Sequence, residues 1–126
     1  MKLRPPSVPL ITVDPYFSIW SPYDRLTDGA TTHWTGERQP LTGVVFVDGA
    51  PYTFMGKQDG APALEQTDLT VTACTSRYTF RGAGIELITA FTSPLLLDDL
   101  EIASRPVSYL KIETASVDGV QHDIRL

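Results

Sequence analysis

The residues best suited to chemistry gather between Ser21 and Pro40, where Asp24, Asp28, His33 and Trp34 share one stretch rich in Thr, Asp and Gly. Two carboxylates and an imidazole beside an indole could line a polar pocket with an aromatic wall and move protons at a substrate. The same residues have a plainer use. Asp24 and Asp28 can hydrogen-bond their own turns, and His33 and Trp34 can seal the edge of a sheet. Asp28, His33 and Trp34 are the candidate substrate-facing residues. Trp20 and Trp34 each offer a flat face for a sugar ring or a planar amide, although Trp20, beside Phe17 and Ile19, also suits a core position.

Elsewhere the pattern is thinner. Hydrolysis at a carbonyl needs a nucleophile or activated water, a proton donor for the leaving group and donors for the oxyanion. Glycoside hydrolysis needs two carboxylates at a set separation. Neither set can be assigned, so the catalytic residues stay unknown. Asp98, Asp99 and Glu101 have oxygen ligands of the kind a hard cation takes, but this spacing is common in solvated loops, and no metal is expected. Glu65, at the start of a strand, suits a rim, cap or solvated role. Ser7, Ser18, Ser21 and Ser93 lack a partner pattern, and no Gly-x-Ser-x-Gly elbow occurs. His122, on the apolar face of a terminal strand, reads as a satisfied buried imidazole. Cys74 reads as a small, semi-buried strand residue. Gly82-Ala83-Gly84 leads into a strand rather than a helix, which argues against a phosphate cradle. No cofactor is expected.

The elements that must position these residues are strands. Ten Pro and nine Gly punctuate the chain too often for a long helix. Asp48-Gly49, between Val44-Val45-Phe46-Val47 and Tyr52-Thr53-Phe54, predicts a hairpin. Asp118-Gly119, between Leu110–Glu113 and Val120–Leu126, predicts a second. A third is expected around Arg81-Gly82-Ala83-Gly84, joining Tyr78–Phe80 to Ile85–Phe91. Alternation from Thr67 to Thr75 predicts a strand with one buried face. Leu95–Ser104 reads as a crossing loop rather than a helical turn, and Ser21–Pro40 as one long loop. Short strands joined by turns at even spacing predict an all-β antiparallel sandwich with little or no helix. Its expected core is Leu69, Val71, Tyr78, Phe80, Ile85, Leu87, Phe91, Leu110 and Ile112.

The 126 residues suit one domain, and 42% hydrophobic content supplies one core. Ten basic against 15 acidic residues give a net charge of -5, which disfavours nucleic acid as a partner. No apolar run approaches the ~18 residues of a membrane span. A lone cysteine allows no internal disulfide. Val120, His122, Ile124 and Leu126 alternate to the last residue, so residues 1–126 are expected to be one β-sandwich domain at the front of a larger multidomain protein. Self-association of such a fragment through its exposed strands is a further expectation.

Ordered pieces along the chain carry a resemblance. Arg4-Pro5-Pro6-Ser7-Val8-Pro9-Leu10, Val13-Asp14-Pro15-Tyr16-Phe17-Ser18-Ile19-Trp20-Ser21, His33-Trp34-Thr35-Gly36, Ala63-Leu64-Glu65-Gln66-Thr67, Phe91-Thr92-Ser93-Pro94-Leu95-Leu96 and Ser104-Arg105-Pro106-Val107-Ser108-Tyr109-Leu110 resemble the amino-terminal region of the glutaminase A family. The resemblance implies a large bacterial or fungal protein, secreted or periplasmic, in which β-rich regions precede a helical barrel-like domain. It implies hydrolysis of the side-chain amide of L-glutamine to L-glutamate and ammonia, with the machinery mostly in downstream domains of the same polypeptide. The fragment by itself would then be inactive, and the partners would be those domains and a small-molecule amide. A different reading, by fold analogy, is a carbohydrate-binding or accessory module of a glycan-degrading enzyme.

Overall fold

A computed structural model describes residues 4–126 of the chain. The fold is all-β and antiparallel, built as three sheets. The first takes the order β1 (Val8–Thr12), β2 (Ser18–Ser21), β3 (Thr32–His33). In the second, β4 (Gly43–Val47) lies between β5 (Ala50–Met55) and β10 (Ile124–Arg125). The third runs β6 (Glu65–Val71), β7 (Thr75–Gly82), β8 (Ile85–Thr92), β9 (Tyr109–Ser116). Among the described residues no helix is long and apolar enough to cross a membrane.

Two of the expected hairpins form for the expected reason. Asp48 and Gly49 adopt φ of 51° and 84°, and Ala83 and Gly84 adopt 52° and 78°, so each two-residue turn has both central residues left-handed. That backbone twist matches the right-handed twist of the flanking strands. Asp118-Gly119 does not form the hairpin expected of it. Asp118 accepts from the Val120 N–H and the Ser116 hydroxyl, each at 3.0 Å, and turns the chain away from β9. Residues 120–123 then cross to the other layer, where Ile124 and Arg125 pair with Val47 and Phe46 of β4. The final alternation is therefore a strand of only two residues.

Three further boundaries depart from the sequence pattern. The strand expected over Thr67–Thr75 ends at Val71, because the Thr72 N–H bonds to the Thr75 carbonyl at 2.8 Å and closes the β6–β7 turn. The Thr72 hydroxyl donates to the same carbonyl at 3.2 Å, the local side-chain alternative to the ladder that threonine offers while keeping a strand-like sequence pattern. Cys74 consequently sits exposed on that turn, not half-buried on a strand. Leu95–Ser104 contains a single-turn helix, α1 (Leu100–Ala103), because the Asp99 carboxylate accepts the Ile102 N–H at 3.0 Å as an N-cap. The stretch from Ser21 to Pro40 is folded back on itself: His33 pairs with Ile19 and Thr32 with Trp20, and Thr32 also bridges Arg38.

The four-stranded sheet forms one layer, and the other two sheets cover it. β1 packs across β7 and β8, and Phe54 of β5 meets Phe80 of β7 edge-on at 6.3 Å between ring centres. Tyr78 stacks on Phe80 at 6.1 Å and meets Phe91 edge-on at 6.3 Å. Of the expected core, Tyr78, Phe80, Ile85, Leu87 and Phe91 are buried, while Leu69, Val71 and Ile112 pack against it half-buried. Leu110 is 46% exposed, because β9 lies at the margin of its sheet where the covering layer ends. Val8, Leu10, Leu26, Val45, Val47, Phe54, Met55 and Leu64 supply the rest of the core.

Candidate functional site

Pairing of β2 with β3 carries His33 and Trp34 to the end of the first sheet, beside the turn after β1. There the Pro15 carbonyl accepts two bonds: the His33 Nε2–H at 2.9 Å and the Trp34 Nε1–H at 2.8 Å. His33 Nδ1 accepts the Thr35 N–H at 3.3 Å and lies 2.8 Å from the Thr35 hydroxyl. A carbonyl can only accept and an amide N–H can only donate, so these partners select the Nε2–H tautomer. Neither nitrogen is left over for a substrate. His33 therefore braces the loop against Pro15 in this arrangement.

Trp34 is anchored by the same carbonyl, yet the residue remains 59% exposed. The anchor holds the indole by its edge and leaves a face to solvent. Trp20 spends its own N–H on the Ser18 hydroxyl at 2.8 Å. Trp20, Trp34, His33, Pro22, Ser7 and Thr32 together line an open hollow of about 410 Å³ with mostly apolar walls. Such a hollow can grip a flat or ring-shaped group by contact area, with hydroxyls at its rim.

The carboxylates expected beside it lie elsewhere. Asp28 accepts the Arg25 N–H at 2.9 Å, and its own N–H bonds to the Arg25 carbonyl at 3.1 Å, a closed turn. Asp24 forms an ion pair with Arg4 and lines a separate groove of mixed polarity along β6. The hollow thus gathers His33 and Trp34 but does not include Asp28.

Other candidates are tied into the fold. Asp99 caps α1, and Glu101 pairs with Arg105 at 3.0 Å. Ser18 holds Trp20, and Ser93 accepts the Thr12 N–H at 2.9 Å. Glu65 is exposed opposite Arg81, whose guanidinium turns to Glu86 at 2.8 Å. Among the described residues no group of three His, Cys, Asp or Glu side chains could hold a metal ion.

Sequence reasoning missed a second polar cluster. His122 is satisfied and its side chain is only 9% exposed, but its partners are two carboxylates. Nδ1 lies 2.7 Å from Asp48 Oδ2, and Nε2 lies 3.0 Å from Asp118 Oδ1. The Asp48 turn is further stitched by the Asp123 N–H to its Oδ1 at 2.9 Å. Hydrogen bonds to Asp48 and then Asp118 raise the His122 pKa above its usual 6.5. Asp48 is lowered, first by the His122 bond and then by the Asp123 amide. Asp118 falls to about 2, first through the Val120 amide and then through His122. This latch joins the β4–β5 turn, the end of β9 and the segment before β10. Two Asp-Gly turns were its only trace in the sequence, and nothing local showed that they would meet.

The two Asp-Gly turns also fall in different family segments. The family described as domain of unknown function DUF4964 matches residues 1–64, and that described as domain of unknown function DUF5127 matches residues 74–126. The buried core draws on both, with Phe54 from the first against Phe80 from the second. A protein named glutaminase A, from Aspergillus oryzae (strain ATCC 42149 / RIB 40), is 35% identical over 133 residues. The match covers 98% of this chain and 19% of that protein, so the chain spans about a fifth of the length of the relative. The resemblance carried by the quoted motifs therefore extends over nearly the whole chain. No solved structure matches it.

Proposed function

We propose, from the premise that this chain belongs to the family described as domain of unknown function DUF4964, that it is the amino-terminal β-module of a glutaminase-like amidohydrolase. In that reaction water adds to the side-chain amide carbon of L-glutamine, the C–N bond breaks, and nitrogen leaves as ammonia after taking up a proton. The module shapes and braces a site completed by downstream domains, and does not itself cleave the bond. One observation carries this reading. Both ring nitrogens of His33 and the indole N–H of Trp34 are spent on Pro15 and Thr35, leaving a fixed aromatic face rather than a proton-transfer group. A face of this kind contributes to binding equally before and during bond cleavage. The name of the relative supports the amide as substrate.

The test is Trp34→Ala in the full-length polypeptide, assayed by ammonia release from L-glutamine. The expected result is a KM raised by more than kcat falls, the mark of lost uniform binding. A drop in kcat of about a thousandfold with the fold intact would place chemistry in the loop and overturn the reading. Unchanged kinetics with a lowered Tm would reduce Trp34 to an edge plug. The exposed indole beside Trp20 also fits a sugar ring, which favours a glycan-binding module as the second reading. Quenching of Trp fluorescence by oligosaccharides, with no ammonia release from glutamine, would select it.

A further inference from the structure

The described strands end in several sheet edges, and all but one are defended. β6 carries a register break between Gln66 and Asp68, and the Gln66 side chain takes the Leu26 N–H at 2.9 Å. β5 is covered by the segment after it, through the Thr53 N–H to the Pro62 carbonyl and the Leu64 N–H to the Thr53 carbonyl, each at 2.9 Å. β1 contains Pro9 and a register break beside it. β3 and β10 are two residues each. Natural sheets use these devices to keep edges from recruiting other strands.

β9 has none of them. Its eight residues pair with β8 from Tyr109↔Thr92 to Ser116↔Ile85 without a break, and contain no Pro. Its charges neutralise each other, with Lys111 and Glu113 paired at 3.0 Å. Its core-side residues are incompletely covered: Leu110 is 46% exposed and Ile112 half-buried. At the head of the strand Tyr109, Val107, Ile102 and Leu95 border a hollow of about 250 Å³. An unpaired, unbroken ladder beside uncovered apolar side chains is the form of a strand acceptor.

We propose that β9 receives a β-strand from the same polypeptide beyond residue 126, extending the four-stranded sheet and covering Leu110 and Ile112. The occupant is an extended segment with apolar side chains at alternate positions, so that one face completes the core while its backbone pairs with β9. The glutaminase A relative is about five times as long as the aligned chain, which leaves ample polypeptide to supply it. The proposal rests on the chain being part of such a longer protein, and deepens that reading by naming the seam.

Hydrogen–deuterium exchange on the full-length polypeptide tests it, with the outer edge of β6 as internal reference. Amides of Tyr109–Ser116 that point away from β8 should exchange at least ~100-fold more slowly than those of the β6 edge, in a protein that is monomeric by light scattering. Leu110→Asp should raise β9 exchange in the full-length protein at least ~10-fold while leaving the β6 edge unchanged. Equal exchange at both edges would overturn the proposal. So would protection that disappears on dilution together with a dimer, which would make a second copy the occupant. Glutamine turnover bears on neither result. An inactive protein with a protected β9 sinks the glutaminase reading alone, and an active one with an open β9 sinks the strand alone.

Discussion

Phe80 is fully buried and lies between Tyr78, at 6.1 Å, and Phe54, at 6.3 Å. Phe80→Ala removes roughly 150 Å² or more of buried apolar surface, about 4 kcal/mol at ~25 cal/mol per Å². The empty site brings the expected loss to about 3–5 kcal/mol. Phe54, 3% exposed, should lose a similar amount. Because the two rings touch, the double variant should lose less than the sum, with a coupling of about 0.5–1.5 kcal/mol. Urea unfolding followed by Trp fluorescence measures all three. Residues 1–64 and 74–126 match different family models, so the coupling reports directly on whether the two segments unfold as one domain. A loss under about 1 kcal/mol at both positions would mean the strand faces are reversed. Full losses with no coupling, and two separate transitions, would refute the shared core.

Three other outcomes are expected. In residues 1–126 by themselves, without the strand proposed for β9, Leu110→Ala at a half-exposed margin should cost less than about 1 kcal/mol in the same assay, against the several expected for a buried leucine. Gly84→Ala should lower stability by at least about 1–2 kcal/mol, because φ is +78° and the added Cβ would lie 2.2 Å from Asp118 Oδ2. Thermal unfolding across pH should show the latch with a definite sign. The His122 contribution is fully present below its usual 6.5 and lost as pH rises through its raised value. The carboxylate contributions are present above 3.8 and lost as pH falls through their depressed values, about 2 for Asp118. Tm should therefore decline on the alkaline side, and His122→Gln should flatten that decline; an identical decline in the variant would dissolve the latch.

Local chemistry was enough for the all-β class, the Asp48-Gly49 and Ala83-Gly84 hairpins and the buried face of β7 and β8, because turn angles and period-two patterning are written within a few residues. The same local rules misplaced Asp118-Gly119, which has hairpin composition but whose following segment pairs with β4, far away in sequence. They also ran the strand at Thr67 on to Thr75, although β6 ends at Val71, where a Thr72 hydrogen bond closes the turn. At the candidate site, residue types alone could not show that Asp28 closes its own turn while His33 and Trp34 converge on the Pro15 carbonyl. The latch of Asp48, Asp118 and His122 was invisible for the same reason. Such groupings depend on which sheet each strand joins, and that choice is settled by burying Val45, Val47 and Phe54 in one core with Phe80 and Leu87, with Ile124 packed half-buried against it. Burial is a property of the assembled layers, so it decides which polar groups meet only after the strands have packed.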